Sequence, residues 1–309
     1  MKIIVKNISH VFDKNSPLEF KALHNSSCTI DQGEYIAIIG QTGSGKTTFI
    51  EHLNSLLVPD EGNLNWIFEH EFKKKKEKFI ELKNVSLKKT FRNKFKYSKI
   101  VKQHVGIVFQ FAEYQLFEST IKKDIMFGPM AFGIEPDVAA QRAVKYLDAV
   151  GLGPEFLEQN PLALSGGQKR RVALAGILAI EPDVLILDEP TAGLDPAGVR
   201  EILEIFDKLN KDGKTIIMVT HDMDNVLERT TRCIVFDQGT IIRDDFTYSI
   251  LKDENFILQN NLVTPSIIRL TNKIQKKYPQ LEIPKIVSLN QMSDFLNEKI
   301  TQKAKAKNA

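Results

Sequence analysis

Cysteine is nearly missing from this 309-residue chain: Cys28 and Cys233 are the only two, far apart and without CxxC spacing. That excludes a disulfide framework or a cysteine-built metal site and leaves both thiols to pack as small apolar side chains. Long apolar runs are missing too, since no stretch approaches the roughly 18 consecutive apolar residues of a membrane-crossing helix. The opening MKIIVKNISHVF alternates apolar and polar residues like a strand. It has neither the apolar core nor the small-residue cleavage site of a signal peptide, so a cytosolic chain is expected. There is no large excess of one charge overall, the formal net being +3, and no internal repeat. With 42% apolar and 26% charged residues the composition is globular rather than disordered or collagenous. The length suits one large α/β domain with an appendage, or two modest domains.

The small net charge hides an asymmetry. Residues 66–103 hold 12 Lys and 1 Arg against 4 Glu, which is +9, leaving 3 − 9 = −6 for the remainder. This segment, with KKKK at 73–76 and strand content near FIELKNVSL, reads as an insertion rather than a packed domain. A solvated decoration is the first reading of such a charge run. Contact with anionic lipid headgroups is the second. Nucleic-acid binding, with Phe79, Phe91, Phe95 and Tyr97 available for stacking, is the third.

Elsewhere, short apolar runs alternate with helical periodicity. Residues 2–8 and 27–39 read as strands, the second ending in YIAIIG. TTFIEHLNSLL reads as a helix with Phe49, Ile50, Leu53, Leu56 and Leu57 on its apolar positions. VGIVFQ at 105–110, VLILDEP at 184–190, TIIMVTH at 215–221 and CIVFDQGTII at 233–242 are further strands. Helical stretches fall at 118–160, 197–210 and 222–231. Such alternation predicts a mostly parallel sheet covered on both faces. Strand-helix alternation is lost near residue 246, and 246–309 reads as a small helical extension whose KITQKAKAKNA tail frays.

GQTGSGKT at 40–47 fits GxxxxGK[ST] and stands between a strand and a helix, as a phosphate-binding loop requires. Gly40, Gly43 and Gly45 let the backbone wrap a β-phosphate, Lys46 neutralises β/γ oxygens and the Thr47 hydroxyl suits Mg2+. Asp188 and Glu189 end an apolar strand. A carboxylate there holds the metal in phosphate-loop enzymes, which suits Asp188. Glu189, on the alternate face, can polarise the attacking water. Its bland alternative is a surface charge at a strand end. Gln110 and His221 also end strands, where open α/β sheets bind ligands. A second glycine-rich turn, Ser165, Gly166, Gly167 and Gln168, opens an amphipathic helix. A serine helix cap is its bland explanation, although a cap does not require two following glycines.

GQTGSGKT, Gln110, LSGGQ at 164–168, LILDEP at 185–190, AGLD at 192–195 and His221 stand in the order and approximate spacing of ABC ATPases, which the chain resembles over about 1–245. QFAEYQLFE, IMFGPMAFG, the run from Asn160 to Gly198 and the C-terminal extension look, more narrowly, like the ATPases of energy-coupling factor (ECF) transporters. The unbroken DEPTAGLD is similar to the second of their two paralogous ATPases. The resemblance implies an α/β phosphate-loop fold: a mostly parallel sheet flanked by helices, an antiparallel β subdomain, a helical subdomain at about 115–175 and the helical extension at 246–309.

What the resemblance implies for function is an ATPase that works as a nucleotide-sandwiched dimer and energises import of a vitamin or transition-metal ion. Gly40, Gln41, Thr42, Gly43, Ser44, Gly45, Lys46, Thr47 and Thr48 would bind ATP, and Phe12, or else His10, would stack on adenine. Thr47, Gln110 and Asp188 would hold Mg2+, while Glu189 would be the general base, assisted by His221 and Gln110. Ser165, Gly166, Gly167 and Gln168 would face the partner subunit's nucleotide, with Asp195 at the dimer interface. The implied partners are a paralogous second ATPase, a transmembrane coupling subunit and a substrate-binding membrane subunit, with no nucleic acid. They would keep the chain at the cytoplasmic face of the cell membrane, and Phe111, Tyr114, Leu116 and Phe117 are the expected apolar anchors. The competing reading is a soluble ABC ATPase acting on nucleic acid or ribosomes, with an exporter ATPase third.

Overall fold

YIAII, VLILD and TIIMV, buried at every position, form the centre of a six-stranded sheet. The computed structural model describes residues 1–74, 77–87 and 95–307. The side chains of the lysine run 73–76 and of Phe79, all of Phe91, and the last two residues of the tail lie outside that description. The strands are β1 (Lys2–Phe12), β2 (Phe20–Ile30), β3 (Tyr35–Ile39), β4 (Glu61–Lys74), β5 (Glu77–Leu87), β6 (Val105–Val108), β7 (Val184–Asp188), β8 (Thr215–Val219), β9 (Arg232–Asp237) and β10 (Thr240–Phe246). The helices are α1 (Lys46–Leu53), α2 (Ser98–His104), α3 (Ile121–Ala131), α4 (Pro136–Ala149), α5 (Gly166–Leu178), α6 (Pro196–Lys211), α7 (Met223–Arg229), α8 (Thr247–Lys252), α9 (Glu254–Gln259), α10 (Ser266–Lys277) and α11 (Leu289–Lys307).

The main sheet runs β10-β9-β3-β8-β7-β6, parallel except for the β9–β10 hairpin, and a four-stranded antiparallel sheet runs β2-β1-β4-β5. Because successive strand residues face opposite ways, Tyr35, Ala37 and Ile39 join one core and Ile36 and Ile38 the other. The first core takes in α3 to α7 and the C-terminal helices. The second joins the main sheet to the antiparallel sheet through Phe49, Ile50 and Leu53 of α1. Each such fully buried aliphatic or aromatic side chain contributes roughly 1.5–3 kcal/mol.

Four expectations are refined. The run 27–39 is two strands, parted by a turn in which Gly33 N–H donates to Thr215 Oγ1 at 2.9 Å. The helix after the phosphate loop stops at Leu53, not Leu57. Asn54 caps it while its side chain holds the Val105 carbonyl, Ser55 turns left-handed, and the Leu56 and Leu57 amides fold back onto the Glu51 carbonyl. The basic segment contributes to the core: Trp66, Phe68, Val85, Leu87 and Val101 are buried, and Phe95 stacks on Trp66 at 5.7 Å. Finally, α11 continues through Lys307, so most of the tail expected to fray is helical.

The C-terminal extension is fastened to the rest of the chain. Ile250, Leu251, Ile257, Ile267, Ile268, Ile286 and Met292 enter the first core, and Asp224 on α7 accepts from the Ser266 amide and hydroxyl at 2.6 and 2.9 Å.

Candidate functional site

The order β3-β8-β7-β6 sets the carboxyl ends of four parallel strands side by side. Gly40 follows β3, Thr220 and His221 follow β8, Asp188 and Glu189 close β7, and Gln110 stands exposed two residues beyond β6. Such a row of parallel strand ends is where open α/β sheets bind ligands.

The loop 40–45 leads directly into α1. Gly40 has φ 148° and a Cβ there would collide with the Phe236 carbonyl, while Gly45 has φ 98° and a Cβ would come within 2.6 Å of the Ala22 carbonyl. Both positions therefore require glycine. Lys46 Nζ donates to the carbonyls of Gly40 and Gln41 at 2.8 and 2.7 Å and approaches Ser44 Oγ at 3.4 Å. Burial holds its ammonium below the usual range, against the opposing pull of Glu189 and Asp188. Gln41, Thr42 and Gly43 are exposed, Ser44 is buried, and the Thr48 carbonyl accepts from His52 Nδ1 at 2.7 Å.

Thr47 Oγ1 donates to Asp188 Oδ2 at 3.3 Å. Asp188 is buried, and that burial raises its pKa, as does the neighbouring charge of Glu189; the Thr47 hydrogen bond and Lys46 work the other way. A buried carboxylate with a hydroxyl beside it and too little positive charge nearby suits a hard divalent cation. The donor set thus fits Mg2+.

Glu189 sits at φ 48°, with its amide on the Val219 carbonyl at 2.9 Å. Thr220 Oγ1 donates to one carboxylate oxygen at 3.3 Å, and His221 Nδ1 lies 2.9 Å from the other. The carboxylate is 18% exposed and the imidazole 82%, so one side of the pair opens to solvent. Thr220, buried between them, was not singled out from the sequence; its place directly before His221 was the available signal.

Ser165, Gly166, Gly167, Gln168 and Asp195 gather elsewhere. Ser165 Oγ accepts from Gln168 N–H at 3.3 Å and Gln168 Oε1 accepts from Ser165 N–H at 3.0 Å, a complete capping box on α5. The cap does not account for the glycines. A Cβ on Gly166 or Gly167 would meet nothing within 4 Å, and neither has a positive φ. Asp195 caps α6 by accepting from Gly198 N–H at 2.7 Å. Ser165, Gly167, Gln168 and Asp195 line an open cleft of about 660 Å3 to which no phosphate-loop residue contributes.

Phe12, half-buried at the end of β1, packs edge-on against His10 at 4.5 Å and pairs with Phe20. The same β2 strand touches the phosphate loop, through Ala22 and Leu23 against Gly45. Phe111, Tyr114 and Phe117 are 43, 84 and 63% exposed, whereas Leu116 packs against the core and is not a surface anchor. Phe127 and Met130 of α3 extend the patch, with Phe117 and Phe127 edge-on at 4.9 Å. Glu113 and Arg170, paired beneath that patch, also escaped the sequence reading.

Comparison with known proteins agrees with this fold. The family model described as ABC transporter matches residues 23–192. The energy-coupling factor transporter ATP-binding protein EcfA2 of Mycoplasmopsis pulmonis (strain UAB CTIP) is 60% identical over 96% of both chains. Its counterpart of the same name in Mycoplasmopsis synoviae (strain 53) is 48% identical over 99% of this chain and 98% of its own. Among solved structures, cbiO1 from Clostridium perfringens, described as part of the ABC transporter complex cbiONQ, superposes with a TM-score of 0.66 at 31% identity. It matches 87% of this chain and 98% of its own. The ATP-binding cassette MJ0796, in a dimeric post-hydrolysis state bound to ADP and Pi, gives a TM-score of 0.64 at 27% identity over 79% of this chain and 98% of its own.

Proposed function

This chain belongs to the ABC transporter family, among its energy-coupling factor ATP-binding proteins, and we propose from that premise how its residues divide the work of ATP hydrolysis. It is the ATPase subunit of an ECF transporter. The observation that carries the division of roles is the row formed by Lys46 and Thr47 at the start of α1 with Asp188, Glu189 and His221 at or just beyond neighbouring strand ends.

The backbone of residues 40–48 and the Lys46 ammonium bind the triphosphate of ATP, at the positive end of α1. Thr47 and Asp188, with Gln110, would hold Mg2+, which would neutralise charge on the phosphate oxygens. Glu189 accepts a proton from the attacking water at the carboxylate that Thr220 and His221 orient. His221 contacts Glu189 through Nδ1, and a hydrogen bond from its other ring nitrogen to the γ-phosphate requires a proton on that nitrogen. Phe12 flanks the adenine.

A second subunit completes the enzyme. Among the described residues nothing requires Gly166 and Gly167 to be small, as expected where another molecule's phosphate must approach the amides of a helix N-terminus. Ser165–Gln168 therefore serve the ATP of a partner ATPase, a paralogue of this chain, and Asp195 lies at the joint. No helix among the described residues is long and apolar enough to cross a membrane. The stroke is delivered to a transmembrane coupling subunit through the exposed aromatics Phe111, Tyr114 and Phe117, which places the chain at the cytoplasmic face of the membrane.

The test is recovery of the full-length chain from detergent-solubilised membranes of its source cell. Expected company is a second ATPase and integral membrane proteins, with ATP turnover lost on Lys46→Ala. Recovery with ribosomes or nucleic acid instead would support the soluble ABC ATPase reading, which full-length similarity to transporter subunits disfavours.

A further inference from the structure

Arg170 is a buried cation that the roles above leave unused. It lies on α5, two residues past Gln168, and its side chain is 7% exposed. Nε and Nη2 donate to the two carboxylate oxygens of Glu113 at 3.2 and 2.9 Å. Nη1 donates to the Ala192 carbonyl at 2.6 Å and lies 3.4 Å from that of Pro190. A planar guanidinium with paired donors fixes a carboxylate in one orientation. Here its remaining donor is fixed on a second loop.

The three segments so joined have separate duties in the ATPase. Helix α5 begins at the Ser165 turn, Gln110 lies three residues before Glu113, and Pro190 directly follows Glu189. Glu113 belongs to the single 3-10 turn Ala112–Gln115, entered through Phe111 at φ 59°, and that turn carries exposed Tyr114 on its outside. Glu189 holds a left-handed backbone that a glutamate adopts only when its surroundings enforce it. The Val219 carbonyl holds it from one side, and Arg170 holds the carbonyls that follow it from the other. With little water to substitute for a lost partner, a shift of Glu113 displaces the guanidinium instead of breaking the pair.

We propose that Arg170 is a positioning residue that transmits the placement of the Ala112–Gln115 turn to the backbone behind Glu189, so that a partner pressing on the aromatics of that turn re-aims the hydrolytic carboxylate. The proposal rests on the reading of Glu189 as the base.

The test combines hydrogen–deuterium exchange on the full-length chain with steady-state ATP turnover of the complex it forms with its partner ATPase, comparing wild type, Glu113→Gln, Arg170→Lys, Arg170→Met and the Glu113→Gln/Arg170→Met double variant. Exchange over 190–195 should rise about threefold or more in Glu113→Gln, with the β1–β2 hairpin unchanged, because local opening is confined to the loop that lost its tether. Turnover should fall about tenfold or more with KM within about twofold, as for a misplaced catalytic group rather than lost binding. Arg170→Lys should recover part of that turnover, and the double variant should be no worse than Arg170→Met alone. Unchanged exchange over 190–195 in Glu113→Gln, or additive losses in the double variant, would overturn the relay. Should Arg170→Met fail to fold, Glu113→Gln, nearly isosteric, still decides through the exchange arm. A wild-type complex without ATP turnover would sink the ATPase reading while leaving the exchange result to stand or fall by itself.

Discussion

Thr47 Oγ1 meets Asp188 Oδ2 at 3.3 Å across 141 residues of chain. The hydroxyl only partly compensates the buried carboxylate, whose pKa stays above its ordinary value chiefly because of burial. A carboxylate raised in this way binds its proton more tightly in the folded state than in the unfolded. Its favourable contribution is therefore present at low pH and lost as pH rises through the folded pKa.

Asp188→Asn should consequently stabilise the nucleotide-free chain at pH 7.5 while destroying its function. The amide oxygen still accepts from Thr47, but the buried charge is gone. A rise in Tm of about 2 °C is expected, since ~1 kcal/mol moves Tm by roughly 2–4 °C in a domain of this size, with the difference from wild type vanishing as pH approaches 4. Mg·ATP should raise the wild-type Tm well above that of the variant, because only a competent site gains binding energy. Thermal melts at both pH values, with and without Mg·ATP, check this; equal Mg·ATP shifts would remove Asp188 from the metal site.

Glu189→Gln keeps size and both flanking hydrogen-bond opportunities but cannot accept the water's proton. Turnover should drop by about 10²–10⁴-fold, the usual worth of a positioned general base. ATP affinity, measured by calorimetry, should stay within about threefold of wild type, because the variant removes a transition-state contact rather than uniform binding. His221→Ala should also slow turnover while leaving affinity near wild type. Undiminished steady-state hydrolysis by Glu189→Gln would dismiss it as the base.

Much of this site was legible because its residues sit next to local signals. Gly40 to Thr47 form a contiguous loop between a strand and a helix, and Asp188, Glu189 and His221 each directly end an apolar run, so the strand pattern places them at the ligand-binding edge. Trp66 was not singled out because the surrounding lysines dominate the composition. Its burial, with Nε1 donating to the Leu53 carbonyl at 2.9 Å, depends on α1 and the antiparallel sheet meeting. Leu56 and Leu57 continued the helical spacing, yet Asn54 and Ser55 end the helix through tertiary contacts that periodicity does not record. Arg170 and Glu113 lie 57 residues apart, and nothing local distinguishes a buried arginine from its half-buried neighbours in a KRR run.

His52 supplies a pH dependence separate from catalysis. Its imidazole is buried on α1, and desolvation pushes its pKa down to about 4, with the His10 ring 4.8 Å away adding to the effect and Asp60 opposing it. Being neutral when folded and protonatable when unfolded, it costs stability as pH falls from its unfolded value of about 6.5 toward 4. Between pH 7 and 5 the loss should be roughly 1–2 kcal/mol in urea melts. His52→Gln, which can still donate to the Thr48 carbonyl, should flatten that slope. An unchanged slope would assign the acid sensitivity to other groups.

Ser165→Arg tests whether the exposed glycine turn serves another subunit. Losing the cap costs about 1 kcal/mol, which a chain with two extensive cores tolerates, and the new side chain extends into open space around Gly166 and Gly167. The substitution should leave ATP affinity at this chain's own site within about twofold. The decisive background is an assembled dimer in which Glu189→Gln silences this chain's site, so that the remaining hydrolysis belongs to the partner's. Adding Ser165→Arg there should abolish the remainder, because an arginine occupies the volume through which the partner's γ-phosphate must reach the α5 amides. Persistence of the partner's turnover, or a loss of affinity at the phosphate loop of this chain instead, would mean that the glycine turn acts in cis and that the dimeric division of labour is wrong.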